Sequence, residues 1–319
     1  MSEHHVESSG APGRQGARVV SLLPSATEIV ALIGCAEQLV GVSHECDFPE
    51  AARALPALTS SRLVDPGSSR GIDMDVRRLV RDVLSIYSVD PDALREAEPD
   101  VVITQDLCEV CAVSLDDVQA ALARLAHRDE VEIVTLSPTR LGHVLEDVVR
   151  VARALGVGER GEREAAALAE RIDTIKARSA RARTRPRVVS VEWLEPIMLG
   201  GTWMPELIEF AGGTPVGVET GAATTTVTRA EFEALEPDVV LLKPCGFSLE
   251  RSMEERELID EICAALATSA RVFLADGNAF FNRSGPRLVE SLEILAACIH
   301  PNLFADFAIR HQGAFVSIA

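Results

Sequence analysis

The sequence predicts an α/β protein of two lobes with mainly parallel sheets, joined by one long α-helix. Three observations predict it. First, Glu98-Pro-Asp-Val-Val102 returns as Glu236-Pro-Asp-Val-Val240. Proline disfavours right-handed helix at the residue before it, and the β-branched run after it suits a buried strand, so each copy reads as a helix end feeding a strand. Second, short apolar runs alternate with segments of helical periodicity, the pattern of parallel sheets. Third, Glu159 to Ala182 alternates charge with Ala, Leu and Ile at helical spacing. With 319 residues there is chain enough for two cores. The expected division is a disordered tail over 1–17, an N-terminal lobe over 18–157, an interlobe helix over 158–184 and a C-terminal lobe over 185–319.

In the first lobe, Arg18 to Leu23 reads as a strand, Pro24-Ser25 as a turn and Ala26 to Ile33 as a helix closed by Gly34. Leu39 to Val42 is a second strand, running into Ser43-His-Glu-Cys-Asp-Phe-Pro49. A Ser-, Gly- and Asp-rich loop over Ser60 to Asp75 precedes a helix from Val76 to Leu84. Asp90 to Ala97 is a short helix, Asp100 to Thr104 a strand, and Ser114 to Ala126 a helix capped by Ser114. Val131 to Leu136 closes the sheet, and Leu141 to Leu155 leads to the long helix. The second lobe repeats the scheme, with strands at Val188 to Val191, Asp238 to Leu242 and Arg271 to Ala275. Its helices are read at Met204 to Ala211, Arg229 to Leu235 and Arg287 to Ile299.

A formal charge of −18 argues against nucleic acid or an anionic membrane surface as partner. No apolar run approaches the roughly 20 residues that cross a bilayer, so no membrane insertion is expected. Met1 to Arg18 carries no apolar h-region of an export signal. Seven cysteines, an odd number in a chain with a large core, do not look like a disulfide framework. Reduced thiols and a cytoplasmic location are therefore expected.

Ligands of open parallel sheets bind beyond the carboxyl ends of the strands. The residues found there are Pro24 and Ser25, then His44, Glu45, Cys46 and Asp47, then Gln105 to Cys108 with Cys111. In the second lobe they are Glu192 and Trp193, Lys243 to Phe247, and Asp276 to Asn278. Trp193 and Trp203, the two tryptophans, suit stacking on a flat ligand. Asp276, Asn278, Asn282 and Arg283 can orient one by hydrogen bonds, with Phe247 packing beside them. Cys108-Glu-Val-Cys111 has a spacing shared by zinc knuckles and redox dithiols. With His44, Cys46 and Cys245 it could form a thiolate–imidazole set for zinc or iron. The alternative is that these cysteines are small core residues. No Walker loop, dinucleotide fingerprint, nucleophile elbow or His-Glu-x-x-His is present.

Val19-Val-Ser-Leu-Leu-Pro-Ser-Ala-Thr-Glu-Ile-Val30 with Gly34 resembles the opening of the iron-siderophore and cobalamin substrate-binding proteins of ABC transporters. The Glu-Pro-Asp-Val-Val strands and the long helix agree with it. Ser43 to Pro49, Thr104 to Cys111, Pro244 to Phe247 and Asp276 to Arg283 look like a branch described as cobalamin-binding. The resemblance implies two Rossmann-like lobes that clamp cobalamin, another corrinoid or a different metal-containing small molecule. The rival expectations are a cytosolic thiol- or metal-dependent enzyme using the same cleft, with His44 or Glu45 moving protons, and a solute receptor of an ABC importer. An ABC permease is expected as partner only if the protein is exported.

Overall fold

The computed structural model describes residues 16–63, 67–81, 86–105, 115–123, 130–266 and 269–318. In the N-terminal lobe β1 (Val19–Ser21) leads to α1 (Pro24–Leu32) and β2 (Leu39–Val42). A ribbon of β3 (Thr59–Ser61) and β4 (Tyr87–Val89) brackets α2 (Ser69–Arg81). Then come α3 (Pro91–Ala97), β5 (Val101–Gln105), α4 (Leu115–Leu122) and β6 (Glu132–Leu136). The four-stranded sheet has the order β2-β1-β5-β6 and is parallel throughout. Helices α5 (Leu141–Ala154) and α6 (Gly158–Ser179) lead into the C-terminal lobe.

That lobe runs β7 (Arg187–Trp193), β8 (Met198–Leu199), α7 (Met204–Phe210), β9 (Thr214–Pro215), β10 (Thr225–Thr226), α8 (Arg229–Glu233) and β11 (Val239–Leu242). It ends with α9 (Leu249–Met253), α10 (Arg256–Ala264), β12 (Arg271–Ala275), α11 (Leu288–Ile299), α12 (Ala305–Arg310) and β13 (Phe315–Ser317). The centre of its sheet, β7-β11-β12, is parallel, while β8, β10 and β13 add antiparallel edges. Those edges escape a sequence reading because two or three residues carry no periodicity.

The Glu-Pro-Asp phrases do the same work twice. Glu98 and Glu236 hold left-handed φ of 43° and 45°, where the following proline bars continuation of the right-handed helix. The aspartate after each proline accepts from the backbone of an arginine that opens the first strand of its lobe. Asp100 Oδ2 takes Arg18 N at 2.8 Å and Asp238 Oδ2 takes Arg187 N at 2.7 Å. Both arginines return a side-chain bond to the helix-end carbonyls, at Glu98 and Glu236. Each then enters the same words, Arg18-Val-Val-Ser21 and Arg187-Val-Val-Ser190, a second repeat that marks the two lobes as copies of one plan.

Strand alternation divides the core in three. Val20, Leu22 and Val102 face an outer cluster of the first lobe with Leu94 and Val118. Val189, Val191, Val240 and Leu242 face the outer cluster of the second. The opposite faces, Val19, Val101 and Ile103 with Val188, Val239 and Leu241, join one continuous cluster that runs along α6 through Ala165, Leu168, Ile172 and Ile175. The lobes therefore share a core along the connecting helix.

Helix α2 begins seven residues before the expected Val76. Ser68 Oγ accepts from Gly71 N at 3.2 Å, and Ser69 is held from the other lobe, its N–H and hydroxyl reaching Glu255 at 3.0 and 3.2 Å. A tertiary contact thus starts a helix in Ser- and Gly-rich sequence, where local propensity is weak.

Where α5 crosses α6, a Cβ on Gly161 would lie 2.3 Å from Ala152 Cβ and 3.2 Å from the Val148 carbonyl. Gly161→Ala gains helix propensity of about 1 kcal/mol but forces the helices apart. Urea unfolding should show a net loss of about 1–3 kcal/mol; an unchanged or raised midpoint would refute this close-packing role.

Candidate functional site

Both sheets point their carboxyl ends at a cleft of about 440 Å³. The first lobe lines it with Leu23, Pro24 and Ser25 after β1, Glu45 after β2, Tyr87 from the ribbon, Gln105 at the end of β5, and Ile72, Asp73 and Val76 from α2. The second contributes Glu192 and Trp193, Met198, Thr224, Cys245 to Phe247, and then Gly277, Asn278, Asn282, Arg283 and Ser284.

The wall of the second lobe rests on a buried cation. Lys243 is fully buried, and its Nζ donates to Glu192 Oε2 at 3.0 Å and Asn282 Oδ1 at 2.6 Å. An ammonium taken from water needs such partners. The Asn282 amide donates to the carbonyls of Lys243 at 3.1 Å and Gly277 at 2.9 Å, and Thr224 donates its hydroxyl to Glu192 Oε1. Gly277 has no room for a side chain, since a Cβ would sit 2.1 Å from the Pro244 carbonyl. Trp193 packs edge-on against Phe247 at 5.4 Å and donates Nε1 to the Ser69 carbonyl at 3.2 Å, tying α2 to this wall.

The wall of the first lobe carries Glu45, whose Oε1 accepts the Tyr87 hydroxyl at 2.7 Å. Tyr87, the one tyrosine of the chain, was not among the expected site residues. Its rarity was the available signal. His44 lies behind this wall and does not line the cleft: its ring contacts Tyr87 at 5.2 Å and its Nδ1 is 2.7 Å from Thr59 Oγ1.

At the back of the cleft the lobes meet through Arg283. Its Nη1 donates to Asp47 at 2.5 Å and Glu28 at 3.3 Å, and its Nη2 donates to Asn278 Oδ1 at 3.1 Å. The Asn278 amide adds a bond to Asp47 at 3.0 Å, Arg287 lies over the Phe48 ring, and the Ser25 and Ser284 hydroxyls are 3.5 Å apart. Burial pushes the Glu28 carboxyl up to about 7 against the pull of Arg283 and Arg287, and its buried Oε2 has no hydrogen-bond partner. Burial also works to raise Asp47, but the bonds and charge of Arg283 and the Asn278 amide hold it below the usual carboxylate range.

Pro24, Ser25, Glu45, Trp193, Cys245, Phe247, Asn278, Asn282 and Arg283 thus all line one cleft, although the side chains of Asn278, Asn282 and Arg283 bond to protein partners. Trp203 does not line it. It is a core residue just before α7, and its Nε1 donates to the Phe281 carbonyl at 2.7 Å. Asp276 accepts from Ala279 N at 2.7 Å and closes a turn outside the cavity. Cys46 is buried 3.1 Å from Thr27 Oγ1, and burial pushes its thiol up to about 11, which disfavours the thiolate a metal requires. Among the described residues no three His, Cys, Asp or Glu side chains are grouped to hold a metal, so His44, Cys46 and Cys245 form no metal-holding group by themselves. Cys108 and Cys111 lie outside the described residues.

Two α/β lobes, a shared helix and a cleft at facing strand ends define a two-lobed binding protein for small molecules. The model of the periplasmic binding protein family matches residues 19–268, and the chain belongs to that family. The vitamin B12-binding protein of Yersinia pestis (strain Pestoides F) is 22% identical over 285 residues, covering 87% of this chain and 84% of its own. Among solved structures, the periplasmic heme-binding protein RhuT from Roseiflexus sp. RS-1 in apo form aligns with a TM-score of 0.65 at 22% identity, covering 92% of this chain and 99% of its own. The periplasmic vitamin B12 binding protein BtuF of Vibrio cholerae aligns with a TM-score of 0.63 at 16% identity, covering 94% and 99%. At these identities the structural likeness establishes the fold. No helix of the described residues is long and apolar enough to cross a membrane.

Glu28 gives the interlobe contact a pH signature. Its folded pKa lies above its ordinary value of 4.5, so the folded protein keeps a proton that the unfolded chain has already lost. Stability should fall as pH rises from 4.5 to about 7, by about 3 kcal/mol at most. Asp47 acts oppositely, its contribution being lost only as pH drops below 3.8. Urea midpoints of the wild type and Glu28→Gln, compared at about pH 5 and about pH 8, should converge at the acid end and diverge in favour of the variant at the alkaline end. Parallel curves would refute the assignment.

Proposed function

We propose that the protein is a binding protein that clamps a flat, metal-containing small molecule, a corrinoid by first choice, between its two lobes. The observation that carries this reading is the cleft at the strand ends, with Trp193 and Phe247 on one wall and Tyr87 on the other. Rigid aromatic surfaces with a few placed polar groups suit a planar ligand. The vitamin B12-binding relative supports the corrinoid over other planar ligands. Calorimetry with cobinamide should show stoichiometric binding, accompanied by quenching of tryptophan fluorescence. Trp193→Ala should weaken binding by roughly tenfold or more. Absence of heat with every corrinoid would remove that ligand class.

The compartment we propose is the cytoplasm, supported by the cysteine usage of the chain. Partly exposed Cys245 then stays unmodified when intact cells are treated with a membrane-impermeant maleimide and reacts after lysis. Labelling in intact cells would instead place the protein outside and make an ABC permease its partner.

A further inference from the structure

We infer that the cleft selects its ligand by charge: it takes a planar molecule that is neutral or cationic and edged with hydrogen-bond donors such as primary amides, and rejects an equally large molecule edged with carboxylates. The inference rests on the reading of this cleft as a ligand site. It follows from which polar groups are already committed. Arg283 is the one cation among the described residues that line the cavity, and its side chain is 8% exposed and spent on Asp47, Glu28 and Asn278. Turning it towards a ligand carboxylate would strand two acids at the lobe junction. Lys243 lies beneath the wall, fully buried and held by Glu192 and Asn282. The amide nitrogens of Asn278 and Asn282 also donate to protein oxygens.

The charged groups left over accept, beside the neutral Gln105 amide and the Ser25 and Ser284 hydroxyls. Glu45 faces the cavity with one Tyr87 bond on Oε1 and no ion pair among the described residues. A carboxylate has about four acceptor positions, so Glu45 and Glu192 both retain capacity for donors brought by a ligand. Segments 64–66 and 106–114, which follow the cavity residues Leu63 and Gln105 in sequence, contain Asp65, Asp106 and Glu109 but no Lys, Arg or His. The whole chain carries −18, so its field works in the same sense.

Two pairs of probes on matched rings test this. Cobinamide and cobyrinic acid share a corrin but carry amides or carboxylates at its edge. The bis-amide of iron mesoporphyrin and iron mesoporphyrin itself make the same contrast on a porphyrin. The amide member should bind at least tenfold more tightly in both pairs, the gap should widen at low salt, and Glu45→Gln, checked for an unchanged melting curve, should narrow it several-fold. Equal or tighter binding of the carboxylate members overturns the inference, as does a gap that Glu45→Gln leaves intact, or binding of neither member of either pair. If only the porphyrin pair binds and shows the preference, the corrinoid reading falls and the charge selection stands. If both corrinoids bind alike, the reverse holds.

Discussion

The guanidinium of Arg283 is the contact on which the geometry of the cleft depends. It comes from the second lobe, it is almost wholly removed from water, and two of its three carboxylate and amide partners, Glu28 and Asp47, belong to the first. A buried guanidinium left without partners costs several kcal/mol, so separation of the lobes at this point has to rehydrate the whole group. On the connecting side the lobes share the apolar cluster along α6. The lobes are thus held by charge at Arg283, by packing along α6 and by the bonds that tie Ser69 to Glu255 and Trp193, and the cleft lies between these contacts.

The two lobes begin as copies. Arg18 with Asp100 and Arg187 with Asp238 make the same pair of bonds at the base of each sheet, far from the cleft. Copies assembled face to face would give like walls, and the walls are unlike because the residues beyond the repeated words differ. After Val102 the strand continues through Ile103 and Thr104 to Gln105, whereas after Val240 it reaches Lys243 and Cys245. The second wall is thereby cross-linked from beneath by a buried lysine, while the first is completed by the ribbon that presents Tyr87. Duplication accounts for the cavity, and the divergent strand endings for its chemistry.

Much of this was legible in the sequence because it rests on local rules. The β-branched strands, the helix ends before Pro99 and Pro237, and the rule that ligands gather beyond strand ends located both sheets and most of the cleft residues. What escaped depends on contacts between distant segments. Trp193 and Trp203 look alike in sequence, yet one follows a strand into the cleft and the other precedes a helix whose face turns into the core. Cys46 lies one residue from Glu45, but in the turn after β2 neighbouring side chains point to opposite sides, so the carboxylate meets the cavity and the thiol meets Thr27. The start of α2 was hidden for the same reason, since Glu255 of the other lobe holds its first turn.

These contacts also decide what the cleft has left to offer. Its two strong cations, Arg283 and Lys243, are the groups that hold the walls in place, and a group that carries structural bonds at burial this deep is not free for a ligand. The acids show the complementary pattern. Glu28 and Asp47 are consumed at the lobe junction and Glu192 is half satisfied from beneath, while Glu45, on the wall without a buried lysine, keeps open acceptor positions. The polar character of the cavity is therefore the remainder after assembly: cations spent on architecture, acceptors left facing inward.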